Sequence, residues 1–307
     1  MHLLMLVATG CWAANLVAGK AALKGFDALA LAQLRIAGGA VLFLGLFFLR
    51  GGLKTLRLDG RQWRFLALTG LFGVTLNQLC FIGGLAHTSV AHAGLVVAVG
   101  PVTVLVLSCL MRLESLTVLK FLGMLIAFCG VAVLTTGKAS PGGGHWTGDL
   151  ILLAGTGVFA YYTILMKEAV DRYDVVTISA LTFGLGFLFM LPFGAGAVWR
   201  IQWSALPTQA WWGLAFMISF GTMVAYLIYA FALTELTAAR VAAFGYLQPV
   251  IASALGVWLL AENLTGKVVF GGALILGGVY LTERERGEEK TIKPEAVPDL
   301  STSDPAT

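Results

Sequence analysis

Six polar side chains stand inside long apolar runs of this chain and are the ones placed to do chemistry: Asn15, Gln33, Arg35, Asn77, Gln78 and Gln248. A charge at the centre of a bilayer costs about 2.5–3.5 kcal/mol on insertion scales, so such groups face a protein interior or a wet cavity. There they bind either a solute or a neighbouring helix. Arg35 lies about two turns from the end of its run at 1.5 Å per residue. It is either a clamp for a substrate carboxylate or a cation that snorkels or binds helices. Aromatic residues share the same faces. Trp12 and Asn15 are three apart, Asn77 and Phe81 four apart, and Tyr226 and Tyr229 three apart, spacings that put side chains together on a helix. Tyr246 and Gln248 precede Pro249. A cavity with apolar walls and few polar anchors is the usual small-molecule site. Trp12, Asn15, Asn77, Phe81, Tyr162, Tyr226 and Gln248 are the residues expected to line it. The competing reading of each aromatic is core packing or an interfacial position.

Other chemistries find no support in the sequence. The cysteines, Cys11, Cys80, Cys109 and Cys129, lie in apolar runs without metal-ligand spacing, so neither a metal nor a disulfide is expected. Gly137-Lys138 is followed by Ala139, and Ala132 stands where a phosphate-binding loop needs glycine, which excludes a nucleotide motor of that kind. No nucleophile–base set appears, so an enzyme is not expected, and no cofactor is implied. None of the sixteen Asp and Glu residues lies at the centre of an apolar run. Proton-coupled carriers usually put a carboxylate on the pathway, so facilitation or exchange is the favoured mode. His87 and His92 read as ordinary loop residues. A phosphorylated solute would want several cations in the cavity. Arg35 alone is available, which favours neutral or zwitterionic solutes.

The elements that position these residues follow from composition. Of 307 residues, 58% are hydrophobic and 12% charged, against roughly 25% charged in a soluble domain. Lipid must cover much of the surface. The fold class expected is an all-α membrane protein with ten transmembrane helices in two inverted five-helix repeats. A crossing helix needs about 20 apolar residues, and spans fall near 3–19, 28–49, 64–84, 91–111, 117–135, 149–166, 175–198, 209–232, 238–260 and 267–282. No Lys or Arg precedes the run from Leu3, so it reads as a first helix and not a cleaved leader. The segment from Glu283 is charged and reads as a disordered cytoplasmic tail. With the N-terminus inside, fourteen of the basic residues fall on the cytoplasmic face and five on the other, which orients the chain. Both termini are then cytoplasmic, in the inner membrane. The basic loops explain the net charge of +4 without nucleic acid.

The chain also repeats itself. Residues 8–20 align with 155–167 at an offset of 147, placing Lys20 on Lys167 and Asp27 on Asp174. At 148, Gly73 falls on Gly221, Pro101 on Pro249, and Glu114-Ser115-Leu116-Thr117 on Glu262-Asn263-Leu264-Thr265. The units are a first repeat over 3–135, a linker over 136–148, a second repeat over 149–282 and the tail over 283–307. Five spans per half is odd, so the second half enters the membrane inverted, as in many secondary transporters. Pro101 and Pro249 are expected to kink their helices, as gating devices or plain structural bends. Glu114 and Glu262 read as helix-end structural residues.

These features carry a resemblance. An Arg35-bearing second helix after Lys20, the paired Pro101 and Pro249, the two Glu-x-Leu-Thr turns and Gly148-Asp149 opening the sixth helix resemble the EamA-type transporters of the drug/metabolite transporter superfamily. The resemblance spans roughly residues 3–283 and implies a ten-helix carrier of small metabolites, often an exporter of amino acids or nucleosides. A carrier of amino acids is the favoured expectation; sugars, nucleosides or other amphipathic metabolites, and a non-transporting receptor or scaffold, are the alternatives. The expected partners are a small-molecule substrate and the lipid bilayer, and a monomer would suffice.

Overall fold

The computed structural model describes residues 1–52, 59–88, 90–135, 146–251 and 266–284. Lys54, Arg57, the linker over 136–145, the Glu262 turn and the tail from 285 lie outside the described residues. Among those described there is helix and turn but no strand. The helices are α1 (His2–Ala22), α2 (Ala28–Leu49), α3 (Gly60–Ala86), α4 (Val90–Val97), α5 (Gly100–Leu110), α6 (Val118–Thr135), α7 (Trp146–Val170), α8 (Val175–Trp199), α9 (Thr208–Glu235), α10 (Ala238–Ala243) and α11 (Gly266–Arg284). A hydrocarbon environment leaves backbone groups no water to bond, so a spanning chain satisfies them within helices.

Six of these, α1, α2, α3, α7, α8 and α9, are long and apolar enough to cross a membrane, and α5, α6 and α11 contain shorter apolar stretches. The expected span 91–111 is divided: α4 stops at Val97, and α5 begins at Gly100 with Pro101 in its first turn. A proline is tolerated there because its missing N–H would be unbonded anyway. The break therefore precedes the proline and is not a mid-helix kink. Pro249 sits in a helical stretch that follows a 3-10 turn at Phe244–Tyr246. The span expected over 238–260 runs past the described residues at 251.

Local signals fix the helix starts. Asp27 accepts from Ala30 N to cap α2, and Asp174 accepts from Val176 N and Thr177 N to cap α8. Asp59 and Gln62 form a reciprocal capping box at α3. Such caps replace bonds the first turn lacks. Gly51, at φ 71°, turns the chain out of α2, a backbone shape that glycine alone adopts without strain.

Glycines then bring the helices together, and several of the seams they make join antiparallel neighbours. A Cβ on Gly213 would meet Ala22 N at 2.8 Å, and Gly221 abuts Asn15, so α9 runs against α1. A Cβ on Gly84 would meet Leu152, and one on Gly155 would meet Cys80, setting α3 against α7. Gly194 abuts Gln33 while Leu44 faces Gly184, setting α2 against α8. Gly123 faces Gly278 and Gly130 faces Gly271 along α6 and α11. Small residues are what let helices approach in lipid, where no hydrophobic force separates protein from solvent. Outward, Val41, Leu188, Phe193 and Leu276 are exposed, as lipid contact requires. Trp199, Trp203, Trp211 and Trp212 cluster at the junction of α8 and α9, the amphipathic residue type that favours a membrane interface.

One charged contact ties the fold together at an end. Glu114, after α5, pairs with Lys120 at 3.1 Å, and both side chains are buried. Its other oxygen accepts from Ala239 N at 3.0 Å, in the first turn of α10. This gives the helix-end role read from the sequence a definite form: one carboxylate neutralises a buried ammonium and caps a distant helix. Glu114→Ala should leave Lys120 buried and unpaired, costing about 3–5 kcal/mol. The expected result is a markedly lower melting temperature in detergent, partly restored by adding Lys120→Met; an unchanged melting curve would refute the contact.

Candidate functional site

Most of the polar and aromatic residues singled out above come together inside the bundle. Together they enclose a cavity of about 910 Å³ of atom-free space, counting its open part. Trp12, Asn15, Arg35, Asn77, Phe81, Tyr226, Gln248 and Pro101 line it. Tyr162 does not. It is buried behind the wall, 5.6 Å from the ring of Phe159 and 6.2 Å from that of Tyr226. Pro249 is buried beside Gln248 and is likewise absent from the lining. Gln78 and Tyr229, placed on these faces from the sequence, also line it, and Phe159, which the sequence reading passed over, completes the wall. Leu152, Gly155, Thr156 and Phe159 form one helix stripe of α7. The signal for Phe159 was thus present in its spacing from Gly155.

Two π-helical segments, Leu71–Leu76 in α3 and Ser219–Val224 in α9, shape the site. They fall at the 148-residue offset from one another. A π turn holds an extra residue and disturbs the regular bonding ladder, and it is common at functional sites. In the second segment the Gly221 carbonyl accepts from Trp12 Nε1 at 3.2 Å and from Arg35 Nη2 at 3.2 Å. Arg35 Nε also donates to Thr222 Oγ1 at 2.9 Å. The glycines of the two segments seat crossed partners: Gly221 packs on Asn15 and Gly73 on the ring of Tyr162. Any side chain at either glycine would collide with them.

Around this seam the aromatics form one cluster. Trp12 stands edge-on to Phe159 and Tyr226, with ring centres 6.0 and 5.9 Å away, and 5.2 Å from Tyr229. Such arrangements suit the ring quadrupoles. Tyr226 is the polar hub. Its hydroxyl accepts from Asn77 Nδ2 at 3.0 Å and from Gln78 Nε2 at 3.4 Å. Tyr229 shares a 2.7 Å bond with Thr163. Among the described residues the lining contains no Asp, Glu, His or Cys. The arrangement can bind a small solute with an apolar body and a few polar groups; it offers no nucleophile and no metal-ligand set.

Tyr226→Phe should strand the amide donors of Asn77 and Gln78 at a cost of about 1–3 kcal/mol. Tyr229→Phe should be milder, because Thr163 keeps its bond to the Phe159 carbonyl at 2.9 Å. Thermal melting of the two purified variants in one detergent measures the difference, and equal losses would contradict the hub.

Comparison with known proteins adds to this geometry. The family model described as "EamA-like transporter family" matches residues 1–136 and 146–284. An uncharacterized transporter of Archaeoglobus fulgidus is 28% identical, with 90% of this chain and 95% of that protein covered. A "probable terminal-alkyne amino-acid exporter" of Streptantibioticus cattleyicolor is 25% identical over 89% of this chain and 90% of that one. A solved crystal structure shares the fold at a TM-score of 0.72 and 20% identity, covering 91% of this chain and 94% of that chain.

Proposed function

This chain belongs to the EamA-like transporter family and is a multi-pass membrane transporter, not an enzyme, and from that premise we propose that it carries small neutral or zwitterionic metabolites, amino acids foremost. The observation that carries the reading is the central cavity, walled by Phe81, Phe159 and Trp12 and fitted with the amides of Asn77, Gln78 and Gln248. Apolar walls with sparse polar anchors favour a solute of mixed character over a sugar. The name of the Streptantibioticus relative points the same way.

The proposed mechanism is alternating access between two inverted halves, 3–135 and 149–282, that make up ten spans with both termini cytoplasmic. The packing supports it. Asn15 on Gly221 and Tyr162 on Gly73 are one contact exchanged between halves, and so are Gly123 on Gly278 and Gly130 on Gly271. Paired π segments at the same offset agree. Inverted repeats hold their substrate near the bilayer midplane, between halves that rock against each other. Trp12, Asn15, Asn77, Phe81, Tyr226 and Gln248 are the proposed binding residues, with Tyr162 supporting them from behind. Pro101 and Pro249 bound the segments proposed to bend during the exchange.

Asn77→Leu and Gln248→Leu should each lower flux of a transported amino acid at least about tenfold, as expected where a site's polar group is needed to pair with its solute. The protein should still reconstitute in the membrane. Normal flux through both variants would make those amides helix glue. Because the described lining holds no carboxylate or histidine, uptake into proteoliposomes should follow the substrate gradient alone. Strict dependence on an imposed pH gradient would overturn that mode.

A further inference from the structure

Among the described residues the cavity wall holds one formal charge, that of Arg35, and no acidic side chain to balance it. Arg35 is 2% exposed. Nε and Nη2 are bonded to Thr222 and Gly221, but Nη1 has no hydrogen-bond partner. A guanidinium carries five N–H bonds, so both on Nη1 are unused. Among the described residues no carboxylate lines the cavity. Phe81 stacks near the cation, with its ring centre 5.7 Å from Cζ, and supplies no net charge. A buried charge without a partner is costly and needs a reason to persist.

Holding helices together is not a sufficient reason. At the 147-residue offset from Arg35 stands Thr182, whose hydroxyl meets that of Thr69 at 3.2 Å. A neutral pair joins helices at the corresponding place. Acceptors lie on the same wall. Asn77 and Gln78 turn their amide nitrogens to Tyr226, which leaves their carbonyl oxygens as acceptors, and Gln78 Oε1 is buried without a partner.

We propose that Arg35 is the receptor for a substrate carboxylate, docked on its free Nη1 edge, while the amide carbonyls of Asn77 and Gln78 take the substrate's amino group. This rests on the transport reading above and narrows it to α-amino monocarboxylates with apolar side chains. Charge balance sets the count: one cation in the wall matches one carboxylate, and a carbonyl pair accepts an ammonium without adding charge. A guanidinium whose other edge is pinned by Thr222 and Gly221 is already oriented, so little order is lost when the anion arrives.

The test is ligand-induced thermal stabilisation of the full-length protein in detergent. The probes are phenylalanine, phenylalaninamide, which lacks the carboxylate, and 3-phenylpropanoate, which lacks the amine; leucine and valine serve as second carboxylates. Phenylalanine should stabilise most and 3-phenylpropanoate partly, and phenylalaninamide should bind at least about tenfold more weakly, as loss of a charge-assisted pair implies. Arg35→Gln should lose stabilisation by phenylalanine, and Arg35→Lys should recover a part. Equal binding of phenylalaninamide and phenylalanine, unchanged binding by a folded Arg35→Gln protein, or no stabilisation by any of the carboxylates would overturn the proposal. The wild-type series decides the matter even if the Arg35→Gln protein does not fold. The transport reading fails separately, if reconstituted protein moves none of a wider set of amino acids, nucleosides and amines.

Discussion

Hydrocarbon supplies no hydrogen-bond partner, and the organisation of this protein follows from that constraint. Each polar group inside a span must be answered by another part of the chain. Trp12 and Arg35 both turn to the Gly221 carbonyl, and Asn77 and Gln78 both turn to the Tyr226 hydroxyl. In each case one acceptor in α9 receives two donors from the N-terminal helices. The carbonyl is available because α9 departs from regular α bonding over Ser219–Val224. A defect in one helix thus becomes the polar centre of a site built by several.

The same constraint explains why glycine governs the packing. Without a solvent-driven force between helices, contact area and close approach decide association. Gly73, Gly84, Gly213, Gly221 and Gly278 stand where a neighbouring helix leaves no room for a Cβ. Along the seam of α6 on α11, Gly123 lies against the Gly278 carbonyl and Gly130 against the Gly271 carbonyl. The cavity is bordered instead by large rings, which leave space because edge-on aromatics do not fill it.

Much of this was legible in the sequence. The spans near 28–49 and 175–198 stood out as long apolar runs, and their helices begin at Asp27 and Asp174 caps. Asn15, Asn77 and Gln248 could be placed on a common wall by depth alone. Three things were not readable. The π segments shift the helical phase by about one residue, so spacing counted across Leu71–Leu76 or Ser219–Val224 does not say which side chains share a face. Tyr162 has the right depth, but Gly73 draws its ring away from the cavity, a tertiary fact with no local mark. Val90–Val97 and Gly100–Leu110 read as one span because hydropathy does not register a two-residue turn.

The crossed packing also dictates an order of assembly. α1 finds its partner in α9, α2 in α8, α3 in α7 and α6 in α11. A ribosome that has delivered α1 to α6 has therefore released helices whose main contact surfaces are still unmade. Glycine faces lie open to lipid, and Arg35 waits for Thr222 and Gly221, 187 and 186 positions downstream. Contacts of such high sequence separation close late. Until synthesis ends, the nascent first half therefore holds polar groups in the bilayer whose partners do not yet exist.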